Sequence, residues 1–250
     1  MEKRTSPCTE INLRSKWTPK KLDTLLQESS KISDAGIRID YLSKQFLGTP
    51  YQESTLIGDI NSPEVFVINL KAVDCFTFLD YIESLRRSSS FDEFRENLKK
   101  VRYRGREIGF KNRNHFFTDW CEFNSDFIDD VTGQFGGRKV ITVMKLLNQK
   151  VDGTYFLPGI QHRERLITYI PSNMIDDSIL SQLRTGDYVG IYSDKQGLDV
   201  SHVGIFIREE NKTYLRHASS HKEYRKVVDQ DFSDYITDKP GILVFRSRKS

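Results

Sequence analysis

Apolar positions follow two regimes along the chain, with helical spacing in the first half and strand-like alternation in the last third. Residues 1 to about 17 are polar and read as extended or loose. Thr18-Pro19 before Lys20–Gln27 reads as a capped helix start with Pro at its first position. A second helix is predicted over 35–46, carried by Ile37, Tyr41 and Leu42. It stops at Gly48, and Pro50 blocks its resumption. Residues 65–70 are β-rich and read as a strand. From Asp74 the pattern turns helical through Phe76, Leu79, Ile82 and Leu85. Asp74 is the N-cap, so Cys75 falls on the first turn. Another amphipathic helix is expected over 91–101. Residues 103–165 have weak periodicity and one helix near Phe117–Trp120; so long an irregular stretch usually has a functional reason. Strands are then predicted at 166–170, 187–192, 202–207, 213–215 and 242–245, with a short helix near 174–183. Helices first and antiparallel strands afterwards predict an α+β fold.

Composition narrows the function classes. The 250 residues carry Lys+Arg 38 against Asp+Glu 35, a net charge of +3, so charge gives no argument for nucleic acid. No apolar run approaches the roughly 20 residues of a membrane span. The N-terminus lacks the apolar core of a signal segment. Cys8, Cys75 and Cys121 cannot all pair, and Cys-x-x-Cys is absent, so neither a disulfide framework nor a metal site is expected.

Chemistry concentrates at Cys75. A thiol on a helix's first turn lies among unpaired backbone N–H groups and the positive end of the dipole, which favour thiolate. The same amides suit an oxyanion. His202 opens an apolar strand in which Gly204 permits close backbone approach. His217 ends the next strand and can lie beside His202 on an antiparallel ladder, fixing its tautomer. Thiol, base and orienting group are the parts of a cysteine hydrolase. His115 is a candidate pocket residue, while His162 and His221 read as surface positions. Tyr51 follows the Gly48-Thr49-Pro50 turn, from which its hydroxyl reaches a cleft or its ring joins the core. Cys121 reads as a small buried hydrophobe.

The segments Leu47-Gly48-Thr49-Pro50-Tyr51, Asp74-Cys75-Phe76-Thr77-Phe78, Gly186-Asp187-Tyr188-Val189, His202-Val203-Gly204-Ile205 and His217-Ala218, in that order, resemble the motifs of NlpC-type papain-like cell-wall hydrolases. Phe76-Thr77 after the cysteine, where Ser-Gly is usual, and the insert with Arg113–Trp120 resemble the subfamily described as N-acetylmuramoyl-L-alanine amidase-like. The resemblance implies a papain-like fold with N-terminal helices on an antiparallel sheet. It implies a single hydrolase domain over 35–250 with an insert near 103–165, after an extension over 1–34 that carries a helix. It implies Cys75 as nucleophile, His202 as general base, His217 as orienting residue and Tyr51 near the oxyanion. Asp74, Arg113, Asn114, His115 and Ser201 become candidate substrate contacts, and Arg102, Arg104 and Arg106 join Arg113 as candidates for stem-peptide carboxylates. The implied substrate is a peptidoglycan fragment (muropeptide) and the implied cofactor is none. The implied bond is the lactyl–L-Ala amide. The alternatives are a cut between D-glutamate and the diamino acid, a catalytically silent peptidoglycan-binding module, or acyl transfer. A monomer is expected, with no nucleic acid and no membrane span. The expected location is periplasm or envelope if a leader precedes this sequence, and cytoplasm if Met1 is the native start.

Overall fold

The computed structural model describes residues 8–13, 16–135 and 139–248. The first part holds β1 (Thr9–Asn12), α1 (Pro19–Ser29), α2 (Ala35–Lys44), β2 (Phe66–Asn69), α3 (Cys75–Arg86) and α4 (Phe91–Arg102). Next come α5 (Phe117–Phe123), β3 (Ile128–Asp130), β4 (Ile141–Leu147), β5 (Arg163–Pro171) and α6 (Asp177–Leu180). The last part runs β6 (Tyr188–Tyr192), β7 (Val200–Glu209), β8 (Lys212–Ala218), β9 (Val227–Asp231), α7 (Phe232–Ile236) and β10 (Gly241–Ser247). The helices start where local chemistry supplies a cap. Thr18 Oγ1 accepts the Lys21 N–H at 3.2 Å and Asp34 accepts the Ile37 N–H at 2.9 Å.

Strand order in the main sheet is β4-β5-β10-β6-β7-β8-β9, with β3 also paired to β10. All these pairings are antiparallel. Alternation along the central strands divides the core between the two faces. Tyr188, Val203, Ile205, Leu243 and Phe245 join Phe78, Leu79 and Ile82 of α3 in one cluster. Val189, Ile191, Phe206, Ile242 and Val244 pack with Ile179 of α6 and with Phe232 and Ile236 of α7 in the other. The result is a mixed fold of helices against an antiparallel sheet.

Helix α3 sits in the middle and carries buried charge. Glu83 and Arg86 pair at 2.7 Å, nearly inaccessible to solvent. The Tyr188 and Ser247 hydroxyls both donate to Glu83, at 2.8 and 2.9 Å. One turn earlier, Asp80 accepts from Arg102 at 2.8 Å and from the Trp120 indole at 3.1 Å. Each charge is thereby offset by a partner and by hydrogen bonds, which burial requires. These bonds tie α3 to α4, α5 and the sheet, so the start of α3 is fixed from several sides.

The structure departs from the sequence expectation in four places. The segment expected to be loose contains β1, which pairs in parallel with β2, Thr9 opposite Phe66; four residues are too short to show a period. The stretch 103–165 holds β3, β4 and the start of β5, and β4 extends the sheet along seven paired positions of β5. Its Ile141–Leu147 segment is mostly exposed or half-exposed, so it shows no clean alternation. Polar β9 and the short α7 were also not anticipated. Trp17, Leu22 and Leu26 of the N-terminal region are buried in the same cluster as α3.

Candidate active site

Asp74 fixes the start of α3. Its carboxylate accepts the Phe76 and Thr77 N–H groups at 2.9 and 2.7 Å, and Thr77 Oγ1 accepts the Asp74 N–H at 3.0 Å. This reciprocal capping box holds Cys75 at the first helical position. The thiol lies against β7, where the Val203 N–H points at its sulfur. Cys75 and His202 line one cavity of about 220 Å³, walled by Phe76, His115, Phe116 and Ser201. Phe76 and His115 continue into a second cavity of about 460 Å³ that also contains Asp74, Arg113 and Asn114. Ser201 and His202 lead into a third, of about 490 Å³, with His217, Gln230 and Tyr235. The thiol therefore sits at the junction of a branched groove.

Two histidines and a glutamine form a line behind the thiol. His202 Nε2 lies 2.7 Å from His217 Nδ1, and His217 Nε2 lies 2.7 Å from Gln230 Oε1. With the amide oxygen accepting, His217 carries its proton on Nε2 and accepts from His202 on Nδ1. His202 then carries its proton on Nε2, which leaves its Nδ1 lone pair for a thiol proton. Gly204 makes the approach possible: a Cβ there would lie 2.7 Å from Leu215 Cδ1 and 3.0 Å from the His217 Cβ. The Tyr235 ring of α7 packs 4.9 Å from His217 and 6.2 Å from His202.

The electrostatics differ from the sequence expectation at Cys75. Burial, and then the Asp74 carboxylate, push its thiol up to about 12, against backbone N–H groups that pull the other way. Burial, and then His217 and Lys239, push His202 down to about 3. Burial also lowers His217 to about 4, although Gln230 and Asp229 oppose the shift. The resting pair at neutral pH is therefore thiol and neutral imidazole. The thiolate expected from the helix start does not form unaided, because desolvation outweighs the helix-terminal N–H groups.

The other predicted residues separate into distinct roles. Tyr51 is half-buried under the Arg225 guanidinium, 4.9 Å from its ring centroid. Burial, then proximity to Cys75, raises its hydroxyl. His115 bonds the Phe110 carbonyl through Nε2 at 2.7 Å, and burial lowers it to about 4. Asn114 is buried, donates to the Val101 carbonyl at 3.1 Å, and leaves Oδ1 without a partner. Arg113 lines the second cavity, but its guanidinium is held by Glu64 at 3.1 Å and the Gly58 carbonyl at 3.3 Å. Exposed Ser201 lies at the mouth. Arg102 is buried and bonded to Asp80 and the Val67 carbonyl. Gln230 and Tyr235 are the site residues that the sequence reading missed. The β8–β9 register, with Gln230 opposite Leu215, brings Gln230 to the histidines, and α7 after β9 brings Tyr235. Among the described residues no three His, Cys, Asp or Glu side chains are grouped as a metal would need.

Residues 41–242 match the family described as N-acetylmuramoyl-L-alanine amidase-like, or AmiA-like. The chain belongs to this family. The matched span contains every predicted site residue as well as Gln230 and Tyr235. Family membership supports an enzyme of the peptidoglycan-amidase kind. Among solved structures, a Bacteroides uniformis N-acetylmuramoyl-L-alanine amidase is 28% identical over 86% of this chain and 99% of its own, with a TM-score of 0.70. The Legionella pneumophila protein LPG0564 shares the fold at 23% identity, covering 92% of this chain and 94% of its own, with a TM-score of 0.77. A Bacteroides fragilis protein with a provisional xylanase name is 27% identical over 82% of this chain and 98% of its own, TM-score 0.65. No curated protein matches the chain. Among the described residues no helix is long and apolar enough to cross a membrane.

Proposed function

We propose that the protein is a cysteine-dependent N-acetylmuramoyl-L-alanine amidase of the NlpC-type, papain-like kind, hydrolysing the amide between the lactyl group and L-Ala in muropeptides. The observation that carries this reading is the shared cavity of Cys75 and His202, backed by the His217–Gln230 line. The Cys75 sulfur attacks the amide carbonyl as its proton passes to His202 Nδ1. A carbon–sulfur bond forms and the oxygen becomes an oxyanion. Asp74 already occupies the Phe76 and Thr77 N–H groups, which leaves the Cys75 N–H and the Tyr51 hydroxyl as oxyanion donors. The carbon–nitrogen bond then breaks, and His202 gives its proton to the departing peptide amine. Water, activated by His202, releases the lactyl carboxylate and restores the thiol. Coupling attack to proton transfer suits a resting pair of neutral groups.

The carboxylates at this cavity do not favour a glycosidase, which needs one free acid and one free base or nucleophile. Asp74 caps α3, and Asp199 accepts the Thr118 and Val200 N–H groups at 2.7 and 2.8 Å. From a cell-wall substrate we infer that the enzyme acts outside the cytoplasm. The test is mass spectrometry of a defined disaccharide-tetrapeptide after incubation with the protein and with Cys75→Ser. Free disaccharide plus intact tetrapeptide, absent with the variant, is the expected result. A disaccharide-dipeptide product moves the activity to the D-glutamyl–diamino acid bond. Hydrolysis that survives in Cys75→Ser removes the thiol mechanism.

A further inference from the structure

A fourth cavity, of about 380 Å³, opens beside the thiol cavity and shares Phe116 with it. Its wall comes from the same loop that covers the thiol: Leu157 lines one cavity and Gly159–Arg163 line the other. This cavity is cationic. Asp119, almost fully buried, is contacted by Arg104 at 3.3 Å, Arg163 at 3.3 Å and Arg165 at 2.5 Å. Arg165 is also paired with Glu122. Lys111 lines the cavity and is exposed. The lining thus carries three cations, Arg104, Lys111 and Arg163, against one carboxylate, Asp119, an excess of two positive charges.

The arrangement is held ready for an anion. Arg104 and Arg163 both lie over the Phe123 ring, 4.5 and 5.2 Å from its centroid, so their planes are fixed without a second carboxylate. The Arg104 Nε is buried and has no hydrogen-bond partner. Burial, and the like charges of Arg163 and Arg165, lower the Arg104 pKa, against the pull of Asp119 and Glu122. A bound anion would relieve that repulsion. Asp119 is already shared by three guanidinium groups and does not fill the cavity.

We propose that this cavity is a carboxylate subsite for the peptide part of the substrate, formed by Arg104, Arg163 and Lys111. The ligand class is a short peptide bearing free carboxylates, laid from the thiol past Phe116 toward the arginines. This inference rests on the peptidoglycan-fragment reading above and adds a recognition element to it. Guanidinium is the group suited to hold a carboxylate in a fixed plane, with Lys111 adding charge at the rim.

The test is calorimetric binding to the full protein carrying Cys75→Ala, which binds without turnover. The probes are a muramyl-tetrapeptide with free carboxylates and the same compound with its carboxylates converted to carboxamides. The carboxylate form is expected to bind at least tenfold tighter, a gap that narrows at high salt. Arg163→Gln is expected to weaken the carboxylate form about tenfold, and with Lys111→Gln added about 30-fold or more, with the carboxamide form unchanged. Asp119 keeps two arginines in both variants, and equal thermal midpoints check that the fold is intact. Equal binding of the two probes, no binding of either, or an equal loss of both in the variants would overturn the proposal. Discrimination between the probes supports the subsite even if the unsubstituted protein hydrolyses neither, so failure of the amidase reading is seen separately.

Discussion

Replacing Gln230 tests the histidine line where it ends. The His217 Nε2–Gln230 Oε1 contact of 2.7 Å fixes which nitrogen of each imidazole carries a proton. Gln230→Leu keeps the volume and removes the acceptor. In the resting protein the loss is about 1 kcal/mol, the net worth of a neutral hydrogen bond. In the transition state His202 becomes an imidazolium and its Nε2–H bond to His217 strengthens, so the loss grows to about 1.5–3 kcal/mol. Only the excess over the resting loss, about 0.5–2 kcal/mol, raises the barrier, so at about 1.4 kcal/mol per tenfold kcat should fall about 2- to 30-fold with little change in KM. Gln230→Glu should act differently. A carboxylate in that place favours the charged form of His217, whose pKa now lies near 4. Protonated His217 donates from both nitrogens, so His202 must accept on Nε2 and carry its proton on Nδ1, where it can take none from the thiol. Activity then requires loss of that proton, and the acid limb of the kcat profile should move up by about one unit or more. The assay is muropeptide hydrolysis from pH 4 to 9 with both variants. If Gln230→Leu keeps kcat within about twofold and Gln230→Glu keeps the parent's acid limb, the tautomer argument fails.

Iodoacetamide at pH 8 should label exposed Cys8 first and Cys75 slowly, because burial and Asp74 hold the Cys75 thiol near 12; peptide mapping showing Cys75 labelled first would establish a resting ion pair instead. His115, lowered to about 4, binds a proton in the unfolded chain near pH 6.5 but not in the fold, so its share of stability is lost as pH falls from 6.5 toward 4. Urea melts across that window should show a flatter loss for His115→Gln than for the parent, and parallel curves would contradict the assignment. Glu83→Leu removes the buried carboxylate shared by Arg86, Tyr188 and Ser247 and should cost about 3–5 kcal/mol in the same melts at pH 7; a loss under about 1 kcal/mol would mean that this buried network adds little to stability.

The start of α3 was legible because its determinants are local. Asp74, Cys75 and Thr77 are neighbours, and the capping box needs no distant partner. The central strands were legible because Val203, Ile205 and Ile207 alternate against one continuous core. Strand β4 was not, since Met144 and Ile141 point to solvent at the sheet edge and no burial forces a period on them. The functions of the arginines were illegible for a related reason. Arg102, Arg104 and Arg113 are close in sequence, yet the first pairs with Asp80, the second faces Asp119 and the third is held by Glu64. A guanidinium's role is set by the carboxylate that folding brings to it, and all three of these carboxylates come from elsewhere in the chain.

The protonation state of the site depends on the same distinction between local and tertiary effects. Position on the first helical turn favours thiolate, and that much is written in residues 74–77. The opposing desolvation comes from the packing of α3 against β7 and β8, segments more than 100 residues away, and it dominates. A site built this way gains nucleophilicity only when something offsets the desolvation. In the mechanism proposed above, a substrate carbonyl that places its developing negative charge against the Cys75 N–H, while His202 takes the proton, does so at the moment of attack. On that proposal the neutral resting state limits reaction with adventitious electrophiles, and His217 with Gln230 keeps His202 in the one tautomer that can respond.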